Sequence, residues 1–216
     1  MLRLLVCLPS LLLPFFMILA LAGSSASAAT AAATASAFTG DPLSVSIEID
    51  EEIDDGNLVI TLEVDDGDIG DLRGFFAHVT DESLLDGLSV SGSRVTGSVF
   101  DANGVINLGR GSNLNGGGSP CPCDLGVEIG DPGIGGGDDY QSVTFTLSHA
   151  SEDLTLSLFE DQEFGIRATS VGGDYGGREG SSKLIGIVPE PSTAMLAMLG
   201  LIGLASIGRP APKDRR

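Results

Sequence analysis

Carboxylates make up most of the residues in this chain that could do chemistry. Asp65, Asp66, Asp68 and Asp71 follow an alternating apolar run, and Gly67 and Gly70 between them permit a tight path. Calcium takes oxygen ligands from closely spaced carboxylates and backbone carbonyls, so these four aspartates are the candidate metal site and calcium the candidate cofactor. The spacing lacks the glutamate that closes an EF-hand loop and is not that motif. Glu51, Glu52, Asp54 and Asp55 form a second acidic group, and Asp138 with Asp139 a third. Solvated, solubilising turns account for the same residues. Cys121-Pro122-Cys123 is the remaining reactive feature. A disulfide between Cys121 and Cys123 ranks first, although a bond between residues two apart is strained around a fixed proline. Intermolecular pairing ranks second. Metal binding ranks third, because two thiolates fall short of the four ligands of a structural zinc site.

Catalysis has little support in the residue pattern. His78 and His149 could each serve a Ser-His-Asp triad, but no G-x-S-x-G turn is present. The chain has no Trp to act as a sugar platform, and its nine Phe and two Tyr suit a core. The reading is therefore a protein that is not an enzyme.

The charge distribution excludes one class of partner. Of the 30 acidic residues, 28 lie between Phe38 and Val188, with six basic residues (Arg73, Arg94, Arg110, Arg167, Arg178 and Lys183), so that stretch carries a charge of −22. Such a field repels phosphate backbones, and nucleic acid is not an expected partner.

These residues sit among strands. Leu43, Val45, Ile47 and Ile49 alternate with polar residues, as do Leu58, Ile60, Leu62 and Val64 after the Asp54-Asp55-Gly56-Asn57 turn, which reads as a β-hairpin. Further runs cover 74–80, 88–100, 141–148, 154–159, 164–171 and 183–188. One apolar face per strand predicts an all-β, antiparallel two-sheet sandwich over 41–187. A single helical turn is expected at 81–88, entered through Asp81. The glycine-rich stretches 109–118 and 130–137 read as loops without a phosphate-binding pattern.

Both ends carry transport signals. Met1-Leu2-Arg3, the apolar run Leu4–Leu21 and the small residues Ala26-Ser27-Ala28 have the order of a secretory signal peptide, expected to be helical. Ala35-Ser36-Ala37 offers a second cleavage site, so removal after Ala28 and after Ala37 fit equally. The Ala/Ser-rich segment 29–40 reads as a linker. At the other end, Ser192 to Gly208 is uncharged and includes Met195, Leu199 and Leu204. As a helix it reaches about 25 Å, short for a bilayer core of about 30 Å. Arg209, Lys213, Arg215 and Arg216 follow as a basic stop, which places the body outside.

The residues just before this segment sharpen its meaning. Val188-Pro189-Glu190-Pro191-Ser192-Thr193, then an apolar stretch and a basic tail, resembles the PEP-CTERM sorting signal. The basic tail departs from the family's tight arginine cluster, since Pro210, Pro212 and Asp214 interrupt it. The resemblance implies a Gram-negative host that makes exopolysaccharide, with signal peptidase and exosortase as processing partners. It also implies transient anchoring in the inner membrane and a final place on the cell surface or in the extracellular matrix. Within the body, 70–76, 81–85 and 178–184 are similar to segments of uncharacterised secreted bacterial β-domains. The expected function is a non-enzymatic structural or interaction role associated with exopolysaccharide. The alternative is a carbohydrate-binding or adhesive module with a defined ligand, calcium-dependent or not.

Overall fold

The computed structural model describes residues 29–51, 56–117, 122–131, 137–173 and 177–190. Its strands are β1 (Thr30–Gly40), β2 (Ser44–Asp50), β3 (Leu58–Val64), β4 (Asp68–Ala77), β5 (Leu88–Ser91) and β6 (Val95–Val105), then β7 (Asn107–Gly109), β8 (Ser112–Asn113), β9 (Cys123–Ile129), β10 (Ser142–His149), β11 (Glu163–Gly173) and β12 (Gly180–Ile187). The expected signal helix and the C-terminal membrane helix lie outside the described residues. Among those described, no helix is long and apolar enough to cross a membrane.

The all-β, antiparallel expectation holds, but the two-sheet sandwich does not. Ten strands form one sheet in the order β5-β10-β3-β2-β1-β12-β11-β4-β9-β6. Its two edge strands, β5 and β6, are consecutive in the chain and touch, so the sheet curls until it nearly closes on itself. The element that joins what would have been two sheets is β1. Thr30 to Ser36 pair with Asp50 to Ser44 of β2, and Ser36 to Gly40 pair with Ile185 to Ser182 of β12. The stretch 29–40 is thus a strand within the sheet rather than a linker. Alternation survives there in muted form, with Ala31 and Ala35 buried and Thr30, Ala32 and Ser36 partly or fully exposed. Register shifts between β11 and β4 and within the β6–β9 ladder supply the local bends that curl a sheet.

The interior is filled from both sides. Phe75 of β4 lies 5.6 Å, centroid to centroid, from Phe145 of β10, although the two strands stand six places apart in the sheet. Phe164 of β11 completes the group at 6.3 Å from Phe75. The run 154–159 is not a strand. It is a buried plug containing a short 3-10 turn, Leu156–Leu158, whose Leu154, Leu156, Leu158 and Phe159 enter the core. Glu51 accepts from the Leu156 N–H at 2.7 Å and ties this plug to the end of β2. The helical turn is present as a 3-10 turn, Glu82–Gly87, and the Asp81 side chain accepts from the Ser83 N–H.

A second, smaller core lies on the outer face. Phe76 of β4 is flanked in register by Gly165 of β11 and Gly126 of β9. The two glycines leave room for a flap, residues 105–117, which carries the β7–β8 hairpin. Leu114 sits over Gly165 and Leu108 over Gly126, and Phe76, Val105, Leu114 and Cys123 are buried together. In the next row Gly74 leaves room for Ser112, whose hydroxyl donates to the Arg73 carbonyl at 3.1 Å. Part of the glycine-rich stretch expected as a loop is therefore a packed lid with its own apolar anchor.

Candidate functional site

The four aspartates of the candidate calcium site do not converge. Asp65 accepts from the Ser46 hydroxyl at 2.6 Å, and Asp68 accepts from the Ser44 N–H at 3.0 Å. Both tie the β3–β4 turn to the start of β2, while Asp66 is exposed. Asp71 turns away from them. It is buried, accepting from the Tyr140 N–H at 3.0 Å and from the Thr169 hydroxyl at 3.3 Å, with the Arg73 guanidinium 3.4 Å away. Among the described residues no three His, Cys, Asp or Glu side chains come together to hold a metal ion. A buried cation two residues along the chain draws Asp71 inward, and the spacing of acids gives no hint of it.

Arg73 organises an acidic loop instead. Only 1% of it is exposed, and it pairs with Asp138 at 2.6 Å, with Asp71, and with the Asp131 carbonyl. Asp138 also accepts from the Asp131 N–H at 2.5 Å. The neighbouring residues are gripped in the same way. Arg178 forms a two-point ion pair with Asp139. Arg94 donates to the Tyr140 hydroxyl at 2.9 Å, with its guanidinium carbon 4.4 Å from the ring centroid. The environments separate these acids. Burial raises the pKa of Asp71 above the ordinary carboxylate value, against the pull of Tyr140 and Arg73. The Arg178 hydrogen bonds lower that of Asp139. The sequence singles out Asp138 and Asp139 as an acidic pair but does not reveal the three arginines that meet there.

The two histidines serve as braces. His78 Nδ1 lies 3.1 Å from Asp124, which is itself buried and also accepts from the Val79 and Asn103 N–H groups. His149 Nδ1 accepts from the Ser151 and Glu152 N–H groups and caps a turn. Each stands at the end of a different strand, and β4 and β10 are not neighbours. Cys123 is disulfide-bonded and fully buried against Phe76 and Leu114. Cys121 lies outside the described residues.

The body ends at the start of the predicted sorting motif. Val188 is only 2% exposed, and its N–H and C=O each close a 3.0 Å hydrogen bond, to the Gln162 carbonyl and from the Asp161 N–H. Asp161 adopts a positive φ of 56°, which turns the chain so that it can meet Val188 from the end of β12. The next two residues, Pro189 and Glu190, are exposed. The last core residue and the first residue of the motif are thus the same residue. Pro191, Ser192 and the segment to Arg216, including the predicted membrane residues and basic stop, lie outside the described residues.

No curated protein and no solved structure matched the chain. Residues 188–209 match the family model described as the PEP-CTERM protein-sorting motif, beginning at the residue where the folded body ends. By that match the chain carries a PEP-CTERM sorting signal behind an antiparallel β-domain.

Proposed function

We propose that the β-domain is a non-enzymatic surface or extracellular-matrix protein that acts in association with exopolysaccharide. Its PEP-CTERM motif marks an exported protein that exosortase processes, with membrane-anchored transit before release to the cell surface. The junction at Val188 carries this reading. No linker separates the packed domain from Pro189 and Glu190, so the motif is presented directly by the domain it sorts. The outer surface also supports it. Thr34, Ser46, Glu48, Thr61 and Glu63 line a shallow groove across β1, β2 and β3 with hydroxyls and carboxylates, groups that hydrogen-bond to polysaccharide and water alike. Both histidines are engaged in bracing hydrogen bonds, which fits a structural role better than proton transfer.

The test replaces Pro189, Glu190 and Pro191 with alanine in the native host. The expected result is unprocessed protein retained in the inner membrane and missing from the matrix fraction. A mature form of unchanged size and location would overturn sorting through this motif. Recovery of the wild-type protein in the culture medium with no polysaccharide attached would overturn the matrix association.

A further inference from the structure

Arg167 of β11 and Lys183 of β12 face each other directly across the ladder, and Thr39 of β1 faces Lys183 from the other side. Residues directly opposite share a face of the sheet, so two cations stand side by side on the outer surface. Neither forms an ion pair with a carboxylate among the described residues. In a body of charge −22 that is unexpected. The same register row continues through Gly74 to Glu128. Glu128 is therefore two strand spacings from Arg167, about 10 Å, and Ser112 of the flap sits over Gly74 between them.

The cations are held by neutral acceptors. Arg167 donates through Nε to the Gly111 carbonyl at 3.3 Å, and through Nη1 to the carbonyls of Ala168 at 2.6 Å and Ser182 at 2.9 Å. Its Nη2 has no hydrogen-bond partner among the described residues. Lys183 Nζ donates to Asn113 Oδ1 at 3.0 Å and to the Asn115 carbonyl, which leaves its third hydrogen. Thr39, Ser181 and Asn115 line the same pocket. Carbonyl dipoles fix the two charges in place without cancelling them, and burial disfavours both. The pKa of Lys183 is lowered by burial and by Arg167, and that of Arg167 by burial.

We propose that this pocket binds an oxyanion, a carboxylate or a sulfate group, with one oxygen on Arg167 Nη2 and another on Lys183 Nζ. Such a group would replace the repulsion between a buried and a partly buried cation with two charge-assisted hydrogen bonds. The hydroxyls of Thr39 and Ser181 and the Asn115 amide supply further donors around it. The surrounding acids disfavour densely charged polyanions and favour a single anionic group. The site belongs to the β-domain and does not depend on how the protein is sorted.

The test titrates the mature exported protein with sodium sulfate and, separately, with tri-galacturonate at constant ionic strength, following backbone amide shifts. Sulfate stabilises folded proteins generally, so the variants carry the comparison. The expected result is saturable shifts at Thr39, Ser181 and Lys183. Binding should weaken about ten- to a hundred-fold in Lys183→Gln and in Arg167→Lys, and stay unchanged in Arg178→Gln. Tighter binding of tri-galacturonate assigns the site to an acidic saccharide, and tighter binding of sulfate assigns it to a free ion. Either outcome supports the oxyanion site. Absence of saturable shifts with both probes overturns it, as does a folded Lys183→Gln that titrates like the wild type.

Discussion

Five of the six basic residues in the body occupy two contrasting places. Arg73, Arg94 and Arg178 converge on the segment 138–140, where each meets a carboxylate or a phenol. Arg167 and Lys183 meet only carbonyls and amides. In so acidic a domain, leaving a cation without an acid requires specific construction. The paired arginines fasten a loop to the curled sheet and are used up in doing so. The unpaired two are held rigid by the flap and keep donors in reserve. The difference shows that ion pairs here close the structure, while their absence leaves chemistry open.

The strongest way to break this comparison acts on β1, which walls the second place through Thr39 and Gly40 and does not contribute to the first. Removal of the signal after Ala37 would strip the ladder from Thr30 to Ser36 and unseat Ala31 and Ala35. Cleavage after Ala28 keeps the strand whole, with the Ala29 carbonyl accepting from the Glu51 N–H. The mature protein is therefore expected to begin at Ala29, as intact mass will show, and a chain beginning at Phe38 is expected not to unfold cooperatively. A mature mass that begins at Phe38 would refute the assignment.

Next in size is the buried arginine. Arg73→Met leaves Asp71 and Asp138 without their cation and is expected to cost about 3–5 kcal/mol in urea unfolding. Lys183→Gln, which removes a charge that has no acid to abandon, should change stability by well under half of that. Equal losses would erase the distinction between the two places.

The smallest effect concerns pH, and its sign differs between neighbouring acids. The pKa of Asp139 is lowered in the folded state, so its contribution is present above the ordinary carboxylate value near 3.8 and is lost as pH falls through the folded value. That of Asp71 is raised, so its contribution is present below that value and is lost as pH rises through the folded one. Melting temperatures measured from pH 2 to 6 should show Asp139→Asn reducing the acid-side loss. Asp71→Asn should remove a decline that runs in the opposite direction. Parallel curves for both variants would contradict the two shifts.

Local patterns in the chain reveal some of this and conceal the rest for physical reasons. Strands β2, β3 and β10 are legible because strong apolar residues alternate with polar ones. The C-terminal motif is legible because it is linear. β1 is hidden because Ala, Ser and Thr give almost no hydrophobic contrast, and its burial comes from the neighbours on both sides. The plug at 154–159 has an apolar period that a strand and a core-filling turn share. Single sheet or sandwich depends on which strands meet, and β1 decides that from the end of the domain farthest in sequence from its partner β12. Asp71 resembles a cation ligand by spacing, yet its neighbours Tyr140 and Thr169 are 69 and 98 residues away. The unpaired cations are equally invisible, because only register sets Arg167 beside Lys183.

The pairing of β1 with β12 has a consequence for the order of events during export. Crossing in order from the N-terminal side, β1 cannot complete its ladder until β12 arrives, and β12 is followed at once by Val188 and the sorting motif. While the C-terminal end is still crossing, the sheet stays open between β1 and β11. A sheet that joins β1 to β11 through β12 is therefore one whose entire body is present on the same side, and only then does the motif stand beside a finished domain.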